Sequence, residues 1–112
     1  MLIRKRRLAV LVTVLVAALS VPAVAALASS GRQVKLRDSY FTARHLTISR
    51  GTRVTWKWAG VLPHNVSVSR GPATFNSRTQ VTGSYSHVFT KRGTYSLYCT
   101  IHQKMRMTVV VK

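Results

Sequence analysis

Acidic side chains are almost missing from this 112-residue chain. Asp38 is the sole Asp or Glu, against 18 Lys and Arg, a formal net charge of +17. A lone acid outside any recognisable constellation argues against an enzyme. Cysteine is equally scarce. Cys99 is the only one, so no internal disulfide forms and nothing covalent compensates for a small core. There is no internal repeat, no low-complexity tract and, after residue 30, no helical periodicity.

What is present begins with a basic cluster, Arg4, Lys5, Arg6 and Arg7, followed by uncharged residues from Leu8 to Ala28. Ala23-Val24-Ala25 offers the small-x-small pattern of a signal-peptidase site, after Ser20 and Pro22. This is the three-part build of a secretory signal, and residues 1–28 are read as one. An uncleaved anchor is the competing reading, because the run is long enough to span a bilayer. In both readings the rest of the chain faces outward, as a periplasmic, cell-surface or secreted domain. Residues 29–112 then form one domain with a modest core. Four of the 18 cations precede the cut, so 14 remain against one acid, a mature charge of +13. Such a charge calls for an anionic partner, an anionic membrane or an acidic cell envelope. Nucleic acid, the first guess for a cytosolic protein of this charge, is argued against by export. A monomer is expected.

The mature chain reads as short alternating runs rich in Val, Thr, Tyr and Trp, separated by Gly, Pro, Asn and Ser. "VKLRD" and "FTARHLTIS" lead to a turn at "SRGT". "RVTWKW" places Val54, Trp56 and Trp58 on one face, and "HNVSVS" does the same for His64, Val66 and Val68. "RGPATFNSRTQVTG" reads as a loop with a candidate short strand near Phe75. "SYSHVFT" and "GTYSLYC" follow, the second aligning Tyr95, Leu97 and Cys99, and "MRMTVVVK" closes the chain. Seven or eight such strands predict an all-β, antiparallel β-sandwich.

Cys99 therefore faces the core at the end of a strand. A buried, inert thiol is the ordinary reading of such a residue. Its neighbours supply another. Cys99, His102 and Met105 put a thiolate, an imidazole and a thioether within seven residues, and soft ligands of this kind favour copper over oxygen-seeking cations. A trigonal Cys-His-His site with a long axial Met is a known copper arrangement. It requires a second histidine, for which His64 in "LPHNV" is the best candidate. His45 and His87 read as solvated or structural. Zinc held by Cys and two His is a rival, against which the thioether and the lack of an acid argue. A binuclear copper centre needs two cysteines and is excluded.

"PHNV" followed by "GTYSLYCTIHQKM" resembles the cupredoxins, in particular the small plastocyanin and amicyanin-like proteins. The resemblance covers most of the mature domain. It implies a Greek-key β-sandwich holding one type 1 copper ion and shuttling single electrons. Carried over to this sequence, His64, Cys99 and His102 are the equatorial ligands and Met105 the axial one. Met107 is a rival for the axial place, disfavoured because choosing it leaves almost no final strand. Asn65 matches a position that ties the two ligand loops together, and Tyr98 a position proposed as an electron route. Proline is usual in such loops where this chain has Ile101 and Gln103. Ile101 thus offers an extra N–H near the sulfur. The expected function is an exported electron carrier. The alternatives are a copper scavenger or carrier with the same ligands, and a cationic binding module. The expected partner is an acidic redox protein such as a cytochrome.

Overall fold

The computed structural model describes residues 12–15 and 31–112. The expected signal or anchor, residues 1–28, falls outside the described residues except at 12–15. No helix among the described residues is long and apolar enough to cross a membrane.

Seven strands form: β1 Gly31–Leu36, β2 His45–Ile48, β3 Arg53–Trp58, β4 Ser67–Arg70, β5 Ser84–Val88, β6 Gly93–Cys99 and β7 His102–Val111. They make two sheets, β1-β3-β5 and β2-β7-β6-β4. The cause is visible in the alternation. Val34 and Leu36 on β1, and Val54, Trp56 and Trp58 on β3, point inward from the first sheet. Leu46 and Ile48, then Tyr95, Leu97 and Cys99, then Met105, Met107, Val109 and Val111 point inward from the second. Together they form one buried core, with period-2 faces meeting as in any sandwich. Trp56 sits near its middle, with Phe75, Tyr85 and Phe89 each about 6 Å away between ring centroids.

The sandwich expected from the sequence is found, with pairings of both senses. β3–β5, β4–β6 and β6–β7 are antiparallel, whereas β1–β3 and β2–β7 are parallel. The parallel pairs arise because the chain changes sheet between β1 and β2 and again between β2 and β3. Each departure is a crossover rather than a hairpin. Near Phe75 there is a single bridge, Ser67 with Asn76, and no strand.

One boundary differs from the sequence expectation. β7 begins at His102 rather than at Met105, where the closing run "MRMTVVVK" places it, and Cys99 pairs with His102. The connection is only Thr100 and Ile101. A register shift between Tyr98 and Cys99 breaks the ladder there and leaves Gln103, Lys104 and Met105 without β6 partners, an irregularity of the kind that re-aims side chains at a sheet end.

Candidate metal centre

Two turns at one end of the sandwich carry the candidate ligands. His64 lies just before β4 and is fully buried. Its backbone exchanges two hydrogen bonds with Gln80, each 3.0 Å. The Trp58 indole N–H donates to its carbonyl at 3.0 Å. Cys99 ends β6, fully buried, and His102 starts β7 with one edge toward solvent.

The three donor atoms converge. His64 Nδ1 and His102 Nδ1 are 3.1 Å apart, and Cys99 Sγ is 4.0 Å from the first and 3.9 Å from the second. All three lie within 4.8 Å of one another. In their plane, a point about 2.05 Å from both nitrogens lies about 2.3 Å from the sulfur, ordinary lengths for metal–imidazole and metal–thiolate bonds. The triangle therefore fits a first-row transition metal without rearrangement.

The methionines separate by their partners. Both are buried on β7, and β7 runs through both, so strand length does not discriminate between them. Met107 is engaged elsewhere: the Trp56 indole N–H donates to its sulfur at 3.3 Å, in the core. Met105 instead lines, with His102, Asp38 and Lys104, a depression of about 230 Å³ above the site.

Asn65 joins the turns as the resemblance implies. Its Nδ2 donates to Thr79 Oγ1 at 2.9 Å and Thr100 Oγ1 at 2.7 Å, and its Oδ1 accepts from the Thr100 N–H at 3.0 Å. Its own backbone N–H reaches Cys99 Sγ at 3.4 Å. That is the hydrogen bond to the sulfur. The extra donor expected from Ile101 is not among the bonds formed. His45 is exposed, and His87 stacks on Phe75 with ring centroids 3.7 Å apart, so neither joins the cluster.

The expectation that Asp38 lies outside any constellation is overturned. Its Oδ1 is 3.2 Å from His64 Nε2 and accepts the Val61 and Leu62 N–H groups at 2.9 and 3.0 Å. A carboxylate only accepts, so the His64 proton sits on Nε2 and the Nδ1 lone pair is left for a metal. The Leu62 N–H foremost, then His64 and the Val61 N–H, hold the carboxyl below its ordinary pKa, against desolvation acting the other way. Gly60 makes the approach feasible, since a Cβ there would lie about 2 Å from the same oxygen. Asp38 follows β1, and the 26-residue gap to His64 gave no spacing signal. Being the only acid was its one mark in the sequence.

Residues 30–112 match the pattern of copper-binding proteins of the plastocyanin/azurin family. The chain is 32% identical over 104 residues to amicyanin-alpha of Methylorubrum extorquens, covering 89% of this chain and 87% of the relative. It is 32% identical over 94 residues to amicyanin of Paracoccus denitrificans, covering 80% and 72%. A solved reduced point mutant of amicyanin superposes with a TM-score of 0.67 at 30% identity, over 75% of this chain and 84% of that one. With a Cys-His-His triangle of metal-binding size at the end of such a sandwich, this chain belongs to the plastocyanin/azurin family of copper-binding proteins, on its amicyanin-like side.

Proposed function

We propose that the protein is an exported one-electron carrier whose copper would be held by His64, Cys99 and His102, with Met105 as a further, weaker ligand. The observation that carries this reading is the triangle of His64 Nδ1, His102 Nδ1 and Cys99 Sγ, with edges of 3.1, 3.9 and 4.0 Å. A copper ion there supplies a centre that gains and loses one electron. The protein's part is to keep the ligands still. His64 is fixed by Asp38, Trp58 and Gln80 on three sides. The Asn65 N–H withdraws charge from the thiolate, and Asn65's side chain fixes the turn that follows Cys99. Ligands that do not move between oxidation states lower the cost of each electron transfer, because little has to be reorganised.

His102 is the ligand with an edge toward solvent, and Val61, Leu62 and Ile101 are exposed on the turns beside the two histidines. This end is the electron port in our reading. Residues 1–28 serve as the export signal, and the basic mature surface favours an acidic redox protein, with association faster at low salt.

Addition of copper(II) to the purified mature domain tests the reading. An intense visible thiolate-to-copper absorption, lost in Cys99→Ser, and reversible voltammetry are expected. A colourless complex, or copper lost at once to a weak chelator, would instead mark copper carriage without electron transfer.

A further inference from the structure

A groove beside the metal end has no role in the site described above. It measures about 330 Å³ and is lined by Tyr40, Arg44, Lys104 and Arg106, together with Ser96 and Thr108. Three cations line it and no acid does. The only acid in the chain, Asp38, is already engaged by His64 and two backbone N–H groups. The groove meets the depression over His102 through Ser39 and Lys104, which line both.

Its walls are set in advance. The Arg37 N–H bonds the Tyr40 carbonyl at 2.9 Å, and the Thr108 N–H bonds the Arg44 carbonyl at 2.8 Å, tying the segment after β1 to β7. Arg106 Nε donates to the Gln103 carbonyl at 2.8 Å, while its guanidinium carbon stands 5.5 Å from the centre of the Tyr98 ring. An arginine held by Nε and by an aromatic face keeps its two terminal amino groups for an incoming anion, with little rotamer entropy left to lose. Arg side chains in this state favour planar carboxylates.

We propose that this groove is the docking site for an acidic surface segment of the protein redox partner. A partner carboxylate seats against Arg106, Arg44 and Lys104 and brings the partner over His102. Tyr98, covered by Arg106 and adjacent in sequence to Cys99, lies under the same footprint. The inference rests on the electron-carrier reading and adds a surface to it: the partner is held from the β7 flank, not only by the apolar turns at the tip.

Hexaglutamate is the probe, titrated at low salt into the ¹⁵N-labelled copper(I) protein and followed by NMR. Shifts should concentrate at Tyr40, Arg44, Ser96, Lys104, Arg106 and Thr108. The triple variant Arg44→Gln/Lys104→Gln/Arg106→Gln should weaken binding by about tenfold or more. A variant of equal charge loss on the opposite sheet, Lys35→Gln/Arg53→Gln/Lys57→Gln, should weaken it by about twofold or less, the general effect of net charge. Equal weakening by both variants, or shifts spread over β1 and β3, would overturn the proposal. So would binding to phosphatidylglycerol vesicles with none to the peptide, which would make the basic surface a membrane tether. The copper spectrum of each variant separates the outcomes: a lost groove with an intact spectrum leaves the electron-carrier reading standing.

Discussion

Truncating Asn65 tests how the metal end is built. The residue is 4% exposed, and Asn65→Ala deletes four side-chain hydrogen bonds of 2.7–3.3 Å, to Thr79, the Thr100 hydroxyl, the Thr100 N–H and the Ser67 hydroxyl. At about 0.5–1.5 kcal/mol net for each, the sum is about 2–6 kcal/mol. Thr100 is exposed, so water recovers part of its loss, and a cost of about 2–3 kcal/mol is expected. A domain of this size has about 4–12 kcal/mol in total, so the apo-protein should survive with a much lower urea midpoint and an unchanged slope. Thr100→Val removes one of the four bonds. In that background Asn65→Ala should therefore cost about 1 kcal/mol less than in the wild type. The loosened turn should also release copper faster to a chelator. A loss below about 0.5 kcal/mol for Asn65→Ala, or full additivity with Thr100→Val, would refute the view that this side chain joins the two turns.

The two methionines should part company in two measurements. Met107→Leu orphans the buried Trp56 N–H, at a cost of about 1–3 kcal/mol in urea titration, and leaves the reduction potential in place. Met105→Leu should shift the potential in voltammetry, and the reverse pattern would exchange their roles. Asp38→Asn keeps an acceptor for His64 Nε2 and the turn N–H groups but removes the negative charge beside a ligand. The potential should rise because copper(II) loses more than copper(I), and an unchanged or lower value would contradict the placement. Burial lowers the pKa of His87 below its ordinary value of 6.5, so the unfolded chain takes up its proton first as pH falls. Stability should be complete above about pH 6.5 and decline below it, and the apo form of His87→Gln should show a smaller decline between pH 7 and pH 5.

Which face each strand buries was legible because alternation alone decides it. Val54, Trp56 and Trp58 on β3, and Tyr95, Leu97 and Cys99 on β6, point inward as their parity requires. Which strands become neighbours was not legible, since parity names a face and not a partner, so the parallel pairs β1–β3 and β2–β7 had no signature. The start of β7 was missed for a related reason. "HQK" carries no alternation, and of it only His102 pairs with β6, opposite Cys99, a tertiary fact. Cys99, His102 and Met105 stood out through local spacing, and His64 through the demand of a trigonal site for one more nitrogen. Asp38 had neither. Its contact with His64 exists because the segment after β1 folds over the turn before it, against a Gly60 that leaves room.

The ligand turn lacks the prolines expected at residues 101 and 103, and the structure supplies stiffness by other means. Proline would restrict φ and remove donors. Here hydrogen bonds restrain the connection from both ends. Thr100 is held by Asn65 through its N–H and its hydroxyl, and the Gln103 carbonyl is held by Arg106 Nε. Between them, Cys99 pairs with His102 across the two-residue connection, beyond a register shift that leaves Gln103, Lys104 and Met105 without β6 partners. Restraint of this kind differs from proline in being removable by solvent and by neighbours. Arg106 contributes to it while also facing the cationic groove. An anion seated on Arg106 thus touches the residue that steadies Gln103, one position after the half-buried candidate ligand His102. In the reading proposed above, docking and the rigidity of the electron port meet in one side chain.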